Sequence, residues 1–132
     1  MTGGFLMLPR ILIVDDSALV RKSLQTCLES EPGWQVCGEA GNGQEAIEKA
    51  KELQPDLIVL DLCMPVMNGL EAARVLSKLV PSLPLIMYTA FHTRHLENEA
   101  LAAGISRVIL KSEPLTDLVA CVRSLTQEVA GP

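Results

Sequence analysis

Residues 56–76 read DLIVLDLCMPVMNGLEAARVL and predict how the chain folds. The four apolar residues Leu57–Leu60 stand together without polar alternation, which is typical of a strand covered on both faces of a parallel sheet. Asp61 follows at once, then a turn with proline and glycine, and then apolar side chains at helical spacing from Gly69 to Leu79. The stretch therefore predicts a strand, a loop and a helix, with a carboxylate at the carboxyl end of the strand.

The same unit recurs along the whole chain. Four further short apolar runs predict strands over residues 11–14, 34–38, 85–88 and 108–110. Segments of helical periodicity predict helices over residues 17–29, 42–51, 69–79, 96–103 and 114–127. Strands that alternate with helices in this way form a parallel sheet with helices on both faces. We therefore predict an α/β fold: a doubly wound, three-layer αβα sandwich around a five-stranded parallel sheet.

The composition excludes several classes of function. The 132 residues carry 11 Lys and Arg against 16 Asp and Glu, a net charge of −5, and 3% of them are aromatic. This balance argues against direct binding of nucleic acid, which needs basic patches or aromatic stacking surfaces. No apolar run approaches the roughly 20 residues of a membrane span. The four cysteines are scattered without the spacing of a metal or disulfide site, which favours a reducing, cytoplasmic location.

Polar or charged side chains follow four of the predicted strands. They are Asp15, Asp16, Asp61, Thr89 and Lys111. In a doubly wound sheet these positions converge on the edge where ligands bind, beyond the carboxyl ends of the strands. Three crowded carboxylates repel one another unless a cation intervenes, and their hard oxygen atoms suit Mg²⁺. A lysine and a hydroxyl beside them suit a phosphoryl group, so the set predicts phosphoryl transfer in which one carboxylate could be the nucleophile.

Over nearly its full length the sequence resembles the receiver domain of two-component response regulators. The string D-x-x-M-P-x-M-N-G at residues 61–69 is the most specific match. Further matching stretches are ILIVDDS (11–17), LIMYTA (85–90) and AGISRVILKSEP (103–114). The resemblance implies a flavodoxin-like, chemotaxis-regulator-like fold with strand order 2-1-3-4-5. It also implies a receiver domain over residues 10–128, with an N-terminal extension (1–9) and a C-terminal tail or linker start (129–132).

The resemblance also implies roles for individual residues. Asp61 would be the phosphoacceptor, Lys111 would pair with the phosphoryl group, and Thr89 would be the switch hydroxyl that moves toward it. Mg²⁺ is the implied cofactor. Its implied ligands are Asp16 directly, Asp15 mostly through water, Asp61, and the backbone carbonyl of Cys63.

The implied function is signalling rather than enzymatic turnover. A histidine kinase or a phosphotransfer protein would donate the phosphoryl group to Asp61, and the domain would assist its own phosphorylation and dephosphorylation. Phosphorylation would then switch the binding of an output partner or of a C-terminal effector domain, and a phosphorylation-dependent dimer is a further expectation. The sequence departs from the family at Val108, where many receivers carry Tyr or Phe, so the coupled rotation of that ring is not available here.

Two other functions are compatible with parts of the sequence. A receiver fold can act by docking alone, without phosphorylation, but such degenerate receivers lose some of the acidic, hydroxyl and lysine residues that this chain keeps. Gly41, Gly43 and Ala46 satisfy the dinucleotide-binding pattern G-x-G-x-x-A, and Asp61 follows at a suitable distance. This pattern follows the second predicted strand rather than the first, and it leaves the upstream aspartate pair and the later lysine unexplained.

Overall fold

The apolar runs form five β-strands in the computed structural model, which describes residues 8–127. They are β1 (Arg10–Val14), β2 (Gln35–Ala40), β3 (Leu57–Leu60), β4 (Leu85–Thr89) and β5 (Arg107–Leu110). Neighbouring strands are parallel, in the order β2-β1-β3-β4-β5. The predicted fold class and strand order are confirmed. The predicted tail (129–132) and residues 1–7 of the predicted N-terminal extension lie outside the described residues.

Five helices lie within the same residues: four connect successive strands, and the last follows β5. They are α1 (Ala18–Glu29), α2 (Gly43–Leu53), α3 (Gly69–Leu79), α4 (Arg94–Ala102) and α5 (Leu115–Gln127). Side chains of Ser17 and Asn42 cap the starts of α1 and α2. A reciprocal capping box between Asn68 and Glu71 fixes the start of α3. In the described part of the chain, no helix combines the length and the apolar content needed to cross a membrane.

Each face of the sheet carries its own apolar core, because alternate strand residues point to opposite faces. Ile11 of β1 packs into one core together with Leu24 of α1 and Leu118 of α5. The next residue, Leu12, packs into the other core, to which α2, α3 and α4 contribute small side chains such as Ala73. The side chains named here are at most 2% exposed. Helices therefore cover both faces, which gives the three predicted layers and leaves the strand ends as the accessible edge.

Some element boundaries differ from those predicted. Helix α4 begins at Arg94 rather than Leu96, because the Thr93 hydroxyl accepts the Leu96 N–H and starts the helix two residues earlier. Thr89 is the last residue of β4 rather than the residue after it, since it pairs with Leu110 of β5. Strand β2 covers residues 35–40 instead of 34–38 because its pairing with β1 continues to the end of both strands. These shifts leave the edge that carries the polar residues unchanged.

Candidate functional site

The carboxyl ends of β1 and β3 bring the three predicted carboxylates together. One oxygen atom each from Asp15, Asp16 and Asp61 lies within 4.8 Å of the others. The two strands are paired in register, and the Asp61 N–H donates to the carbonyl of Val14 at 2.9 Å, so the pairing continues one residue past β3. The acidic cluster expected from the sequence therefore forms, and the strand order is its cause.

The two neighbouring aspartates at the end of β1 have different surroundings. Asp15 is 1% exposed, and its Oδ1 accepts the Ser17 N–H at 2.9 Å while its Oδ2 accepts a hydrogen bond from Lys111, also at 2.9 Å. Asp16 is exposed, and within residues 8–127 its carboxylate takes part in none of the side-chain hydrogen bonds. Asp15 is thus fixed by the protein, whereas the oxygen atoms of Asp16 are available to a cation.

Asp61 is nearly buried at the end of β3, with 5% of its surface exposed. Its Oδ1 accepts the N–H of Leu62 at 2.9 Å and lies 3.4 Å from the Lys111 ammonium. Burial and the neighbouring carboxylate of Asp15 raise the pKa of Asp61, and Lys111 offsets only part of that effect. The negative charge at this position is therefore incompletely compensated by the protein, a situation that favours a bound cation.

Lys111 brings a positive charge next to the carboxylates of Asp15 and Asp61 from the first position after β5. Burial alone would lower the pKa of Lys111, but its hydrogen bond to Asp15 and the charges of Asp61 and Asp15 outweigh burial and raise it. The side chain is 26% exposed, and its Nζ lies 5.9 Å from the centre of the Tyr88 ring. Lys111 is therefore a permanently charged group at neutral pH, held between the carboxylates and the ring.

Thr89 lies beside Lys111 on the adjacent strand. Its carbonyl accepts the Lys111 N–H at 2.7 Å, and its side chain is buried, with the residue 1% exposed. The Thr89 Oγ1 accepts the N–H of Phe91 at 3.2 Å. Since a hydroxyl can donate as well as accept, its proton stays available to another acceptor, such as a phosphoryl oxygen.

The loop between β3 and α3 closes tightly over the carboxyl end of β3. A Cβ atom at position 69 would lie 2.2 Å from the carbonyl oxygen of Asp61, and the Gly69 N–H donates to the Leu62 carbonyl at 2.8 Å. Val66 has a φ of 69°, a conformation that β-branched residues rarely adopt. Cys63 is exposed in this loop, and the role of its carbonyl as a metal ligand stays a prediction.

The glycine motif of the dinucleotide alternative has a packing role. The Gly43 N–H donates to the Met67 carbonyl at 2.9 Å, and a Cβ at position 43 would lie 2.7 Å from that same oxygen. The Gly41 N–H donates to the Glu45 side chain at 2.8 Å. Both amides that a phosphate would need are therefore already bonded, and Gly43 lets α2 approach the loop after β3. Dinucleotide binding is not favoured.

Arg21 contacts the site but was not among the residues predicted from the sequence. Its Nη1 donates to the backbone carbonyl of Asp15 at 2.7 Å, and its Nε donates to the Glu39 carboxylate at 2.9 Å. A signal for this role exists in the sequence. Arg21 stands three and seven residues before Leu24 and Leu28, the buried residues of α1, so a charged residue occupies the buried face of that helix.

Comparison with known proteins agrees with this geometry. A sequence model described as the response regulator receiver domain matches residues 11–123. The chemotaxis protein CheY of Thermotoga maritima is 41% identical over 102 residues, which cover 77% of this chain and 84% of that protein. The transcriptional regulatory protein LnrK of Bacillus subtilis is 39% identical over 116 residues, which cover 88% of this chain and 53% of LnrK. This chain thus spans about half the length of LnrK.

A solved structure shows the same fold. A chain of the CheX-CheY-BeF3-Mg²⁺ complex from Borrelia burgdorferi superposes with a TM-score of 0.83 at 29% sequence identity, and the match covers 88% of this chain and 87% of that one. The family match, the relatives and the strand order all agree with the resemblance seen in the sequence. The chain belongs to the response regulator receiver domain family, whose members are signalling proteins.

Proposed function

We propose that this receiver domain accepts a phosphoryl group on Asp61 from a phosphohistidine of a sensor kinase or phosphotransfer protein. The observation that carries the proposal is the convergence of three carboxylates within 4.8 Å of one another with a lysine that contacts two of them. Asp61 is the member of this group that is nearly buried yet incompletely compensated in charge. It therefore suits the role of the reacting carboxylate.

Mg²⁺ fits the same group of residues. The three carboxylates offer hard oxygen atoms, and one lysine cannot balance their charge. We infer that Asp16 and Asp61 bind the ion directly, that Asp15 acts mostly through water, and that the carbonyl of Cys63 completes the set. When bound, Mg²⁺ neutralises charge that develops on the phosphoryl oxygens.

The protein groups then have distinct tasks in the transfer. An oxygen of Asp61 forms the new bond to phosphorus, the P–N bond to the donor imidazole breaks, and the imidazole leaves with that electron pair and takes up a proton from solvent. Lys111 pairs with a phosphoryl oxygen, and its raised pKa keeps it charged for this task at neutral pH. Thr89 donates its hydroxyl proton to another phosphoryl oxygen, which couples the phosphoryl group to β4 and the loop after it.

The donor protein must reach the same edge of the sheet. Exposed apolar side chains stand on the segments that follow β1, β3 and β4, namely Leu19, Val66 and Phe91, which are 78%, 82% and 59% exposed. We propose that these side chains contact the donor, since they stand on segments that leave the same edge of the sheet as Asp61 and exposed apolar side chains favour protein docking.

The signalling role extends beyond the transfer itself. The domain assists its own phosphorylation and dephosphorylation rather than turning over a separate substrate. Phosphorylation switches the binding of an output partner or of a C-terminal effector domain, and it favours a dimer. The four free cysteines fit a cytoplasmic location, where thiols stay reduced.

Phosphorylation with a small donor tests the proposal. Incubation with acetyl phosphate and Mg²⁺ should add one acid-labile phosphoryl group, detected by intact-protein mass spectrometry, and removal of Mg²⁺ should abolish the addition. Asp61→Asn should not be labelled. Asp56→Asn is the matched control, because Asp56 flanks the opposite end of β3 and accepts the Arg10 N–H.

Two results would contradict the proposal. Full labelling of Asp61→Asn would place the acceptor elsewhere. A parent protein that takes up no phosphoryl group from acetyl phosphate or from a phosphorylated kinase, while still binding a partner, would favour the docking module without phosphorylation.

A further inference from the structure

Arg21 connects α1, β2 and the aspartate pair at the end of β1. We propose that Arg21 is a positioning residue for metal binding: its guanidinium holds the peptide unit between Asp15 and Asp16 and thereby orients the Asp16 carboxylate. This inference rests on the proposed Mg²⁺ site.

The contacts of Arg21 form a fork. Nη1 donates to the carbonyl of Asp15 at 2.7 Å, and Nε donates to Oε1 of Glu39 at 2.9 Å. Glu39 is itself held, because the Lys49 ammonium donates to its backbone carbonyl. The Arg21 side chain is 21% exposed, so solvent competes with these bonds only in part. The planar guanidinium presents its donors at a fixed spacing, so it holds the Asp15 carbonyl and the Glu39 carboxylate more rigidly than an ammonium group would.

Asp16 depends on its backbone for its orientation. Its exposed carboxylate has no hydrogen bond from a side chain or amide in the described part of the chain. The peptide unit before it begins at the Asp15 carbonyl, and Arg21 is the side chain that binds this oxygen. The Asp15 N–H, on the other side of that residue, is tied to the Ala40 carbonyl at 3.0 Å. Arg21 therefore restrains the end of the segment that leads directly into Asp16.

Small rotations matter here because Mg²⁺ requires nearly ideal octahedral geometry and metal–ligand distances within about 0.2 Å. Without the Arg21 contact the peptide unit can rotate. The Asp16 oxygen atoms then move away from the positions in which they can bind the same ion as Asp61. The charge of Arg21 acts in the opposite direction, because a cation near three carboxylates repels Mg²⁺. Removal of the Arg21 charge alone would strengthen Mg²⁺ binding. Weaker binding after removal of Arg21 would therefore result from the lost orientation of Asp16.

Isothermal titration calorimetry with MgCl₂ tests the inference. Arg21→Ala should raise the Kd for Mg²⁺ about fivefold, the effect of one lost hydrogen bond of ordinary strength. Arg21→Lys, which keeps the charge but not the fork, should also raise the Kd. In the Asp16→Asn background, the same replacements should change the Kd less than about twofold, because the ligand that Arg21 orients is already impaired. Arg123→Ala is the matched control, since Arg123 also pairs with a carboxylate, that of Glu31.

The outcomes separate the two proposals. A parent protein that binds no Mg²⁺ refutes the metal site and the role of Arg21 with it. If the parent binds Mg²⁺ and Arg21→Lys binds it as tightly or more tightly, the metal site stands and the positioning role is refuted. An equal loss of affinity in the parent and Asp16→Asn backgrounds, or in Arg123→Ala, refutes it too, because a general loss of structure would explain that result. If Arg21→Ala does not fold, the Kd of Arg21→Lys for Mg²⁺ decides whether Arg21 has the positioning role.

Discussion

The ammonium group of Lys111 lies nearer to the carboxylate of Asp15 than to that of Asp61. Its Nζ is 2.9 Å from Asp15 Oδ2 and 3.4 Å from Asp61 Oδ1. Asp15 therefore receives the hydrogen bond, and Asp61 keeps a raised pKa in spite of the nearby positive charge. A phosphoryl group on Asp61 would offer Lys111 a better partner, so this lysine is placed to change its contact if Asp61 carries such a group.

Replacement of Lys111 should affect stability and metal affinity in opposite directions. Lys111→Met leaves the buried Asp15 with the Ser17 N–H and without its charged partner, so we expect a loss of about 1–2 kcal/mol in urea unfolding at pH 7. Mg²⁺ should bind about threefold more tightly, because a competing cation is gone. Labelling by acetyl phosphate should nevertheless be slower.

The pH dependence and a control check the role of Lys111. Because the pKa of Lys111 is raised in the folded protein, its stabilising effect is complete at neutral pH and is lost as the pH rises through that raised pKa. The difference in free energy of unfolding between the parent and Lys111→Met should therefore shrink in strong alkali. Lys78→Met, which removes an exposed lysine of α3, should leave stability and Mg²⁺ affinity unchanged. Equal stability of parent and Lys111→Met at pH 7 would contradict the argument.

The ionised carboxylate of Asp61 should reduce the stability of the fold at neutral pH. Its pKa is raised above the ordinary value of about 4, so the folded state holds the proton more tightly than the unfolded chain does. Stability consequently falls as the pH rises through the window between those two pKa values. Asp61→Asn removes this cost, and we expect it to be about 1 kcal/mol more stable at pH 7, or roughly 2–5 °C in Tm.

Thermal unfolding in metal-free buffer from pH 3 to 8 measures this effect. The advantage of Asp61→Asn should vanish below the ordinary carboxyl pKa, where both residues are neutral. Asp56→Asn should show no such advantage at neutral pH. A variant that is less stable than the parent at pH 7 would mean that Lys111 stabilises the Asp61 carboxylate more than burial destabilises it.

Sequence patterns predicted the parts of this protein that depend on local apolar periodicity. The run Leu57–Leu60 and helix α3 occur where the pattern places them, because burial on both faces and an apolar helix face leave direct traces in the sequence. The start of α4 was misplaced, since the cap at Thr93 lies before the first apolar residue of that helix. Convergence of the polar residues followed from the rule that parallel strands end at one edge.

Contacts within the site could not be predicted in the same way. The preference of Lys111 for Asp15 over Asp61 depends on distances that differ by half an ångström between two side chains of the same type. The hydrogen bond from Arg21 to the Asp15 carbonyl depends on a side chain that reaches from α1 to the end of β1. Every residue has a backbone carbonyl, so the sequence does not show which one accepts a hydrogen bond. The position of the charged Arg21 on the buried face of α1 was the only indication of this contact.

Gly69 should tolerate no side chain. The Cβ of Gly69→Ala would meet the Asp61 carbonyl oxygen at 2.2 Å and the Leu62 Cα at 3.0 Å, and both are backbone atoms that cannot rotate away. Alanine stabilises the first turn of α3 by at most about 1 kcal/mol relative to glycine, whereas the steric overlap costs about 2–3 kcal/mol. The net effect of Gly69→Ala should therefore be destabilising. We expect lower stability in urea unfolding and slower labelling of the displaced Asp61.

Gly41→Ala is the matched control for this prediction. A Cβ there would lie 3.9 Å from the nearest atom, the Arg21 Nη1, which is ordinary contact. It should change stability by less than about 0.5 kcal/mol. If Gly69→Ala also changed stability by less than about 0.5 kcal/mol, the loop after Asp61 would adjust freely and the prediction would be wrong.

Phosphorylation should release the amide of Phe91. The Thr89 Oγ1 accepts that N–H at 3.2 Å, and a hydroxyl that moves toward a phosphoryl group on Asp61 gives up this bond. We expect hydrogen exchange of the Phe91 amide, followed by NMR, to accelerate about tenfold when BeF3 and Mg²⁺ are added, which corresponds to ~1.4 kcal/mol of lost protection. Val108 carries no ring that must move at the same time, so Thr89 alone should drive the change.

An equivalent bond nearby provides the control for the Thr89 switch. The Leu96 N–H donates to the Thr93 Oγ1 at 3.0 Å, in the cap of α4, and it should keep its protection when BeF3 is added. Thr89→Ala removes the acceptor, so the Phe91 amide should exchange fast in both states, whereas Thr89→Ser should retain the response. Unchanged or slower exchange at Phe91 in the parent would show that the hydroxyl does not leave the amide. Equal acceleration at Leu96 would indicate loosening of the whole segment instead of a switch at Thr89.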